Sequence, residues 1–473
     1  MIRTTVLPAT VSLYRKGHWR QEEQPRNKLA LLLALELLEE NEKMTNQNKR
    51  QKYSRRDFLR LATFAGGGAV VLAAGTLANL DRLLGTDNTE PTASGAPAGS
   101  VVTQGNVIRL AATDGFISLP GRVDPLLVFG FIDVDPNMPI NDIISTYKGK
   151  VQVSSPVIGV DEGDEVYLTL TNLGLVTRPD LDDSHTVHWH GFRNPIAYFD
   201  GVPEASIAVP LGRDFPYYYR PEHPGTYMYH CHFEDVEHVQ MGMNGIVYVR
   251  PSQNLTGTGS YGPGKFAYND GDGSTRYDRE VTMMLNEIDT RPHDNLLNVQ
   301  EFVWSDYKPN YWTINGRSYP DTIKGSNDPS LPSQPISSLV QCNPGERVLL
   351  RLANLGYEQH AMQLTGIPMK VVGHDATLLR STSGADISYT TNSLLIGPGE
   401  ARDAIFVAPA YDSSAVAGND AGLGNYNRYY FKNRNYFSQT NDGLPGLGGM
   451  VTEVRVYEGS PLPPQSIPNE TYL

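Results

Sequence analysis

Seven of the eleven histidines in this 473-residue chain fall between His185 and His238. Most of them lie in two clusters, His185-Thr186-Val187-His188-Trp189-His190-Gly191 and Tyr229-His230-Cys231-His232, and His238 and Met243 follow the second. Residues two apart on a strand share a face, so His188 and His190 can converge on one metal, and so can His230 and His232. Cys231 must then point the opposite way, which places two metal environments on either side of one strand, joined by covalent bonds. Cys231, His185 and His238 offer a thiolate and two imidazoles, and Met243 offers a weak axial thioether. That is the donor set of a blue copper electron-transfer site. Zinc sites more often pair their ligands as Cys-x-x-Cys or His-x-x-x-His, and neither spacing occurs in these clusters.

Short strands must carry these side chains. The chain has 45 Gly, 33 Pro and only 19% charged residues, a composition that favours many turns and strands over long helices. After the turn at Gly163, Val166, Leu168 and Leu170 alternate with polar residues and close on Asn172-Leu173-Gly174. Gly345, Val348, Leu350, Leu352 and Asn354-Leu355-Gly356 repeat that pattern at a constant offset, and Gly242-Met243 rhymes with Gly449-Met450. The repeat is long and predicts two domains, each a Greek-key β-sandwich, in an all-β chain. We place the first, copper-bearing domain at 105–251, a Gly/Ser/Asn/Asp-rich linker at 252–278, a second and largely ligand-free domain at 279–458, and a tail at 459–473.

Ahead of these, Ser54-Arg55-Arg56-Asp57-Phe58-Leu59 precedes a mildly apolar, Gly/Ala-rich stretch at 61–80. Paired arginines before such a segment predict export by the twin-arginine route, to a periplasmic, extracellular or cell-surface location. Met44 opens a good basic region by itself and is the expected start of translation, and 81–104 reads as a flexible spacer. Residues 1–80 carry 13 basic and 7 acidic side chains, whereas the remainder carries 26 and 45, a net −19. So acidic a body excludes nucleic acid as a partner. Two cysteines, Cys231 and Cys342, leave no room for a disulfide framework.

With these motifs in place, the chain resembles the multicopper oxidases over about 108–458. Asp200-Gly201-Val202-Pro203 and Pro224-Gly225-Thr226-Tyr227 are similar to the family's first cupredoxin domain, and Thr313-Ile314-Asn315-Gly316 to a later one. The resemblance implies cupredoxin-like sandwiches, with His185, Cys231, His238 and Met243 as type 1 copper ligands. It assigns His188, His190, His230 and His232 to a type 2/type 3-like copper site that reduces oxygen. The electron donor would be a small molecule, a metal ion or a redox protein, and the acceptor oxygen or a small oxyanion.

Two departures bear on that expectation. His238 follows Cys231 by seven residues, longer than the oxidases' usual five and shorter than the loop of copper nitrite reductases. The acidic segment between, 233–237, is expected to border an exposed type 1 ligand and to dock a cationic donor. In the second half, the strand expected to carry His-x-His reads His360-Ala361-Met362, and Phe431-Lys432-Asn433-Arg434 stands near where His-Cys-His would recur. A full trinuclear cluster cannot be built from these residues. His360 is the one plausible ligand there, completing a site on a neighbouring subunit as in a trimeric nitrite reductase. The remaining alternative is a blue-copper electron-transfer or copper-handling protein without oxidase activity.

Overall fold

The computed structural model describes residues 102–194 and 196–473, so the twin-arginine segment, Met44 and nearly all of the spacer lie outside the described residues. Strand formation follows the alternation read from the sequence. In β5 of the first half (Val166–Gly174), Val166, Leu168 and Leu170 are buried between half-buried Tyr167 and Thr169. Gly163 turns the chain into this strand at φ 86°, a conformation that costs a glycine little. Asn172 closes it: its side-chain carbonyl accepts the Gly174 N–H at 2.8 Å and its amide donates to the Val209 carbonyl at 2.9 Å.

Nine strands build the first sandwich: β1 (Val102–Gln104), β2 (Val107–Ile117), β3 (Leu126–Asp133), β4 (Val157–Asp161), β5, β6 (His188–His190), β7 (Asp214–Tyr219), β8 (Gly225–His230) and β9 (Asn244–Arg250). One sheet runs β1-β4-β9-β8-β6 and the other β3-β2-β5-β7. Apolar side chains from both sheets share one core, from Ile108, Leu110 and Phe131 to Val247 and Val249. Burial of this set is the main drive for the fold.

Strands between Arg279 and Tyr457 build a second sandwich of seven and six strands. Its strand Arg347–Asn354 repeats β5 in detail, with Gly345 at φ 81° and the Asn354 side chain accepting the Gly356 N–H at 2.9 Å. The molecule is therefore mostly β, with two cupredoxin-type sandwiches, and these belong to one compact unit. Met228, Ile246 and Tyr248 of the first half pack with Met284 and Ala353 of the second. At that seam Arg351, fully buried, donates to Glu280 at 2.8 Å and to Thr226 at 3.2 Å, and Thr226 in turn donates to Asp403 at 2.6 Å.

The stretch expected as a linker is no loose spacer. Phe266, Ala267, Tyr268 and Tyr277 are buried, and the Tyr268 hydroxyl donates to Asp403 at 2.5 Å. The expected tail is likewise stitched down. Asn469 and Gln465 accept backbone N–H groups of Thr282 and Glu280 at 3.0 and 2.7 Å, satisfying a strand edge that would otherwise be open.

Candidate metal centre

Three elements deliver the sulfur-centred set. His185 is fixed by reciprocal backbone hydrogen bonds with Val209 at 3.1 and 2.8 Å. Cys231 follows the end of β8, and its N–H donates to the Met243 carbonyl at 3.1 Å. His238 lies on the short helix α2 (Asp235–Met241; α1 is Ile140–Tyr147), which Gly242 ends at φ 118°. The Met243 N–H then returns to the His238 carbonyl at 3.0 Å. These backbone ties bring Cys231, His238 and Met243 together without using a side-chain donor.

Donor atoms of His185, Cys231 and His238 all lie within 4.8 Å of one another. The Cys231 sulfur stands 3.2 Å from His238 Nδ1 and 3.9 Å from His185 Nδ1, and it accepts the Thr186 N–H at 3.4 Å. All three residues and Met243 are buried, and Nε2 of both imidazoles has no hydrogen-bond partner. Burial pushes the Cys231 thiol up to about 12, and it holds His238 down at about 4. His185 is also held well below its ordinary value, by burial and by His238 beside it. Neutral imidazoles packed on a sulfur that ionises only with difficulty in this apolar site suit a metal ion, which displaces the thiol proton outright. A thiolate, two imidazoles and a thioether in a dry site fit copper.

The buried His238 overturns the expectation of an exposed ligand beside an acidic loop. The longer Cys231–His238 interval is taken up by helix α2, entered through Glu234 at φ 47°, which carries His238 inward. Phe129 meets its ring edge-on at 5.9 Å. The acidic residues gather next to it: Asp183 and Glu234 bring carboxylate oxygens within 4.8 Å of a His238 ring nitrogen. Burial, and next the Glu234 charge, pushes Asp183 up to about 6. Burial, with Asp183 and Glu234 adding to it, does the same for Glu237. The acidic 233–237 segment was visible in the sequence, but neither its pairing with Asp183 nor its place against His238 was.

On the other side of Cys231 lies the histidine cluster. β6 pairs with β8 so that His188 stands opposite His230. Donor atoms of His188, His190 and His230 fall within 4.8 Å of one another, and the His232 ring centre is 5.2 Å from His188 and 5.4 Å from His230. His188 Nδ1 donates to the Asp200 carbonyl at 2.6 Å and His230 Nδ1 to the Cys231 carbonyl at 2.8 Å. A carbonyl only accepts, so each bond places the proton on Nδ1 and leaves the Nε2 lone pair for a metal. His190 lies against Gly399 of the second sandwich, where an added Cβ would stand 3.2 Å from its Nε2. Burial, opposed by only part of these contacts, holds His230 down at about 3 and lowers His188 and His190 as well.

His360 joins neither group. It is buried, its Nε2 meets Glu287 at 3.0 Å and its Nδ1 meets the Asn433 amide at 2.9 Å, so no neighbouring subunit can use it as a ligand. Its counterpart is His185, not the His188 position expected from the sequence. Met362 pairs with Asn433, one register step from the His188–His230 pair, and the Asn433 N–H donates to the Met450 carbonyl at 3.0 Å as Cys231 does to Met243. Asn433 therefore stands where Cys231 stands, Met450 where Met243 stands, and Glu287 fills in beside the remaining imidazole.

Residues 141–254 match the family model described as a multicopper oxidase. The chain is 26% identical to Laccase-3 of Oryza sativa subsp. japonica over 279 residues, which is 56% of this chain and 42% of the rice protein. It thus spans less than half the length of such curated relatives. The structure is similar to the multicopper oxidase mgLAC, with 24% identity and a TM-score of 0.54 over 76% of this chain and 88% of that one. It is also similar to a copper nitrite reductase from Nitrosomonas europaea, with 19% identity and a TM-score of 0.50 over 76% and 95% of the two chains. At these identities the structural likeness speaks for the fold.

Proposed function

We propose that this is a copper-dependent oxidoreductase of the multicopper oxidase type, with type 1 copper on His185, Cys231, His238 and Met243 and a second copper site on His188, His190, His230 and His232. Copper held by these residues would supply one-electron chemistry, with electrons entering at the thiolate centre and leaving to oxygen at the histidine cluster. The observation that carries this reading is the placement of the two donor sets on opposite faces of one strand end, with Cys231 in one and its neighbours His230 and His232 in the other. Each flanking histidine is one peptide bond from the thiolate.

The protein's own groups prepare both sites. Thr186 spans them: its N–H contacts the Cys231 sulfur and its hydroxyl accepts the His232 N–H at 2.9 Å. Carbonyls of Asp200 and Cys231 fix the tautomers of His188 and His230, and Gly399 of the second half packs against His190. The second sandwich borders the cluster at Gly399 without offering it a histidine.

The donor in this reading is a small molecule, a metal ion or a redox protein, met outside the cytoplasm after twin-arginine export. A second reading, a nitrite-reductase-like trimer whose neighbour completes the histidine site, draws support from the one-sided origin of the cluster. A neighbour's contribution would have to come from a residue other than His360. Copper analysis, paramagnetic resonance and oxygen uptake with a phenolic donor separate these readings. The oxidase reading expects more than one copper per chain, a thiolate-copper signal and oxygen consumption. Turnover of nitrite alone would favour the second reading. One copper with no turnover would leave an electron-transfer protein.

A further inference from the structure

We infer that the second sandwich, which offers no histidine to either metal site, positions the His238 imidazole by gripping helix α2 at both ends: His293 holds the side chain of Gln240, and Tyr357 holds the carbonyl of Val236. The effect on the metal rests on the copper reading above; the grips themselves rest on geometry alone. Helix α2 needs holding. Its seven residues are too few for a helix to be stable by itself. It is also entered through Glu234 at φ 47°, a left-handed conformation that a residue other than glycine keeps only when its surroundings impose it. His238 lies midway along the helix, with Nδ1 3.2 Å from the Cys231 sulfur.

One grip is at the C-terminal end. The Gln240 amide donates to Nε2 of His293 at 3.3 Å, and His293 Nδ1 donates to the Leu127 carbonyl at 2.6 Å. A carbonyl only accepts, so the proton sits on Nδ1 and the Nε2 lone pair is left for the amide. Burial keeps this ring neutral, holding it down at about 4. His293 is carried by the helix Thr290–Leu297, which Asp289 caps by accepting the Arg291 N–H at 3.1 Å. Leu127 is two residues from Phe129, whose ring meets His238 edge-on, so one stretch of β3 backs both the grip and the ligand. The other grip is at the N-terminal end, where the Tyr357 hydroxyl donates to the Val236 carbonyl. Tyr357 is itself tied down. Its N–H donates to the Glu287 carboxylate that also meets His360, and its ring packs on Tyr307 at 5.1 Å. Between the grips, Val239 is buried with Met284, Ile336 and Ala353 of the second half. The imidazole cannot swing away from the sulfur without breaking one of these contacts, so the ligand is held in place before a metal arrives.

Hydrogen exchange of the metal-free full chain tests the grips. The His238 N–H donates to the Glu234 carbonyl at 2.9 Å and the Met243 N–H to the His238 carbonyl at 3.0 Å. In the Tyr357→Phe/His293→Leu double variant both amides are expected to exchange about tenfold faster, while the Leu168 and Leu170 amides of β5 keep their rates. Unchanged exchange at His238 and Met243, or equal acceleration at all four amides, would overturn the grips. Chelator competition against the copper-loaded chain, read by visible absorption, tests the effect on the metal. About tenfold weaker copper binding and a displaced absorption band are expected of the double variant. An unaltered affinity and band would overturn the positioning role. His293→Gln keeps an acceptor where Nε2 stands and should recover most of what His293→Leu loses; equal loss in both would overturn the His293 grip. Tyr357→Phe removes a single hydroxyl near the surface and should show part of both effects if the double variant folds poorly. A wild type without a visible band would refute the copper reading, while hydrogen exchange would still decide the grips.

Discussion

The two sandwiches carry the same pocket with different contents. In the first, His185, Cys231 and His238 bring metal-ligand donors together with idle imidazole nitrogens, and Met243 is buried in the same core as Cys231. In the second, His360 and Met450 remain in the matching places, but Asn433 replaces the sulfur and Glu287 takes up the imidazole. The Glu287 carboxylate also accepts the Glu358 N–H at 2.7 Å and the Tyr357 N–H. One pocket leaves donor atoms unpaired and the other pairs them internally. A buried polar set must be satisfied by a ligand or by its own members, and the two halves took one solution each.

The most decisive way to break this contrast is to copy the second pocket into the first. Cys231→Asn should abolish the visible absorption of the copper-loaded protein and reduce donor oxidation to background, read by absorption and oxygen uptake. Glu287→Ala tests the other pocket. It strands the Tyr357 and Glu358 N–H groups and one nitrogen of His360, at a cost of about 3–5 kcal/mol read from denaturant unfolding, with copper content unchanged.

Protonation sharpens the comparison further. His238 and His230 titrate at about 4 and 3 in the folded chain, below the unfolded value of 6.5. Their stabilising neutral form is fully present above pH 6.5, and stability is lost as pH falls from there through 4 and 3. For His238 alone the loss approaches about 3 kcal/mol at the acid end. Asp183 and Glu237, raised to about 6, act in the opposite sense, their contribution being present at low pH and lost as pH rises from about 4 through 6. Metal-free protein should therefore unfold at higher pH than copper-loaded protein in an acid titration followed by circular dichroism, because bound copper keeps its ligand histidines unprotonated.

Much of this was legible in the sequence because it is local. The turn at Gly163, the alternation of Val166, Leu168 and Leu170, and the His-Cys-His alternation all follow from a period of two. The placement of His360 was not legible. His185 comes eleven positions after Gly174, but His360 only four after Gly356, and the different loop lengths shift the register by which the strands must be compared. Glu287 arrives from 73 residues away, a contact no local pattern encodes. The burial of His238 was hidden for another reason: helix α2 is seven residues long, too short to display a helical period against a loop.

The axial positions offer the mildest pair of changes. Met243→Leu should keep the copper and its colour while raising the reduction potential in a redox titration, since the weak thioether donation that favours the oxidised state is lost. Met450→Leu, a swap of similar volume, should cost less than about 1.5 kcal/mol and leave the copper spectrum untouched.

The central claim is that Cys231 anchors a copper centre whose counterpart in the second half has been closed by hydrogen bonds. Copper content and visible absorption of wild type beside Cys231→Asn test it most directly. Coloured wild type, with one copper and all of the colour lost in the variant, is the predicted result. A colourless loaded wild type, or a Cys231→Asn variant that keeps its colour, would contradict it.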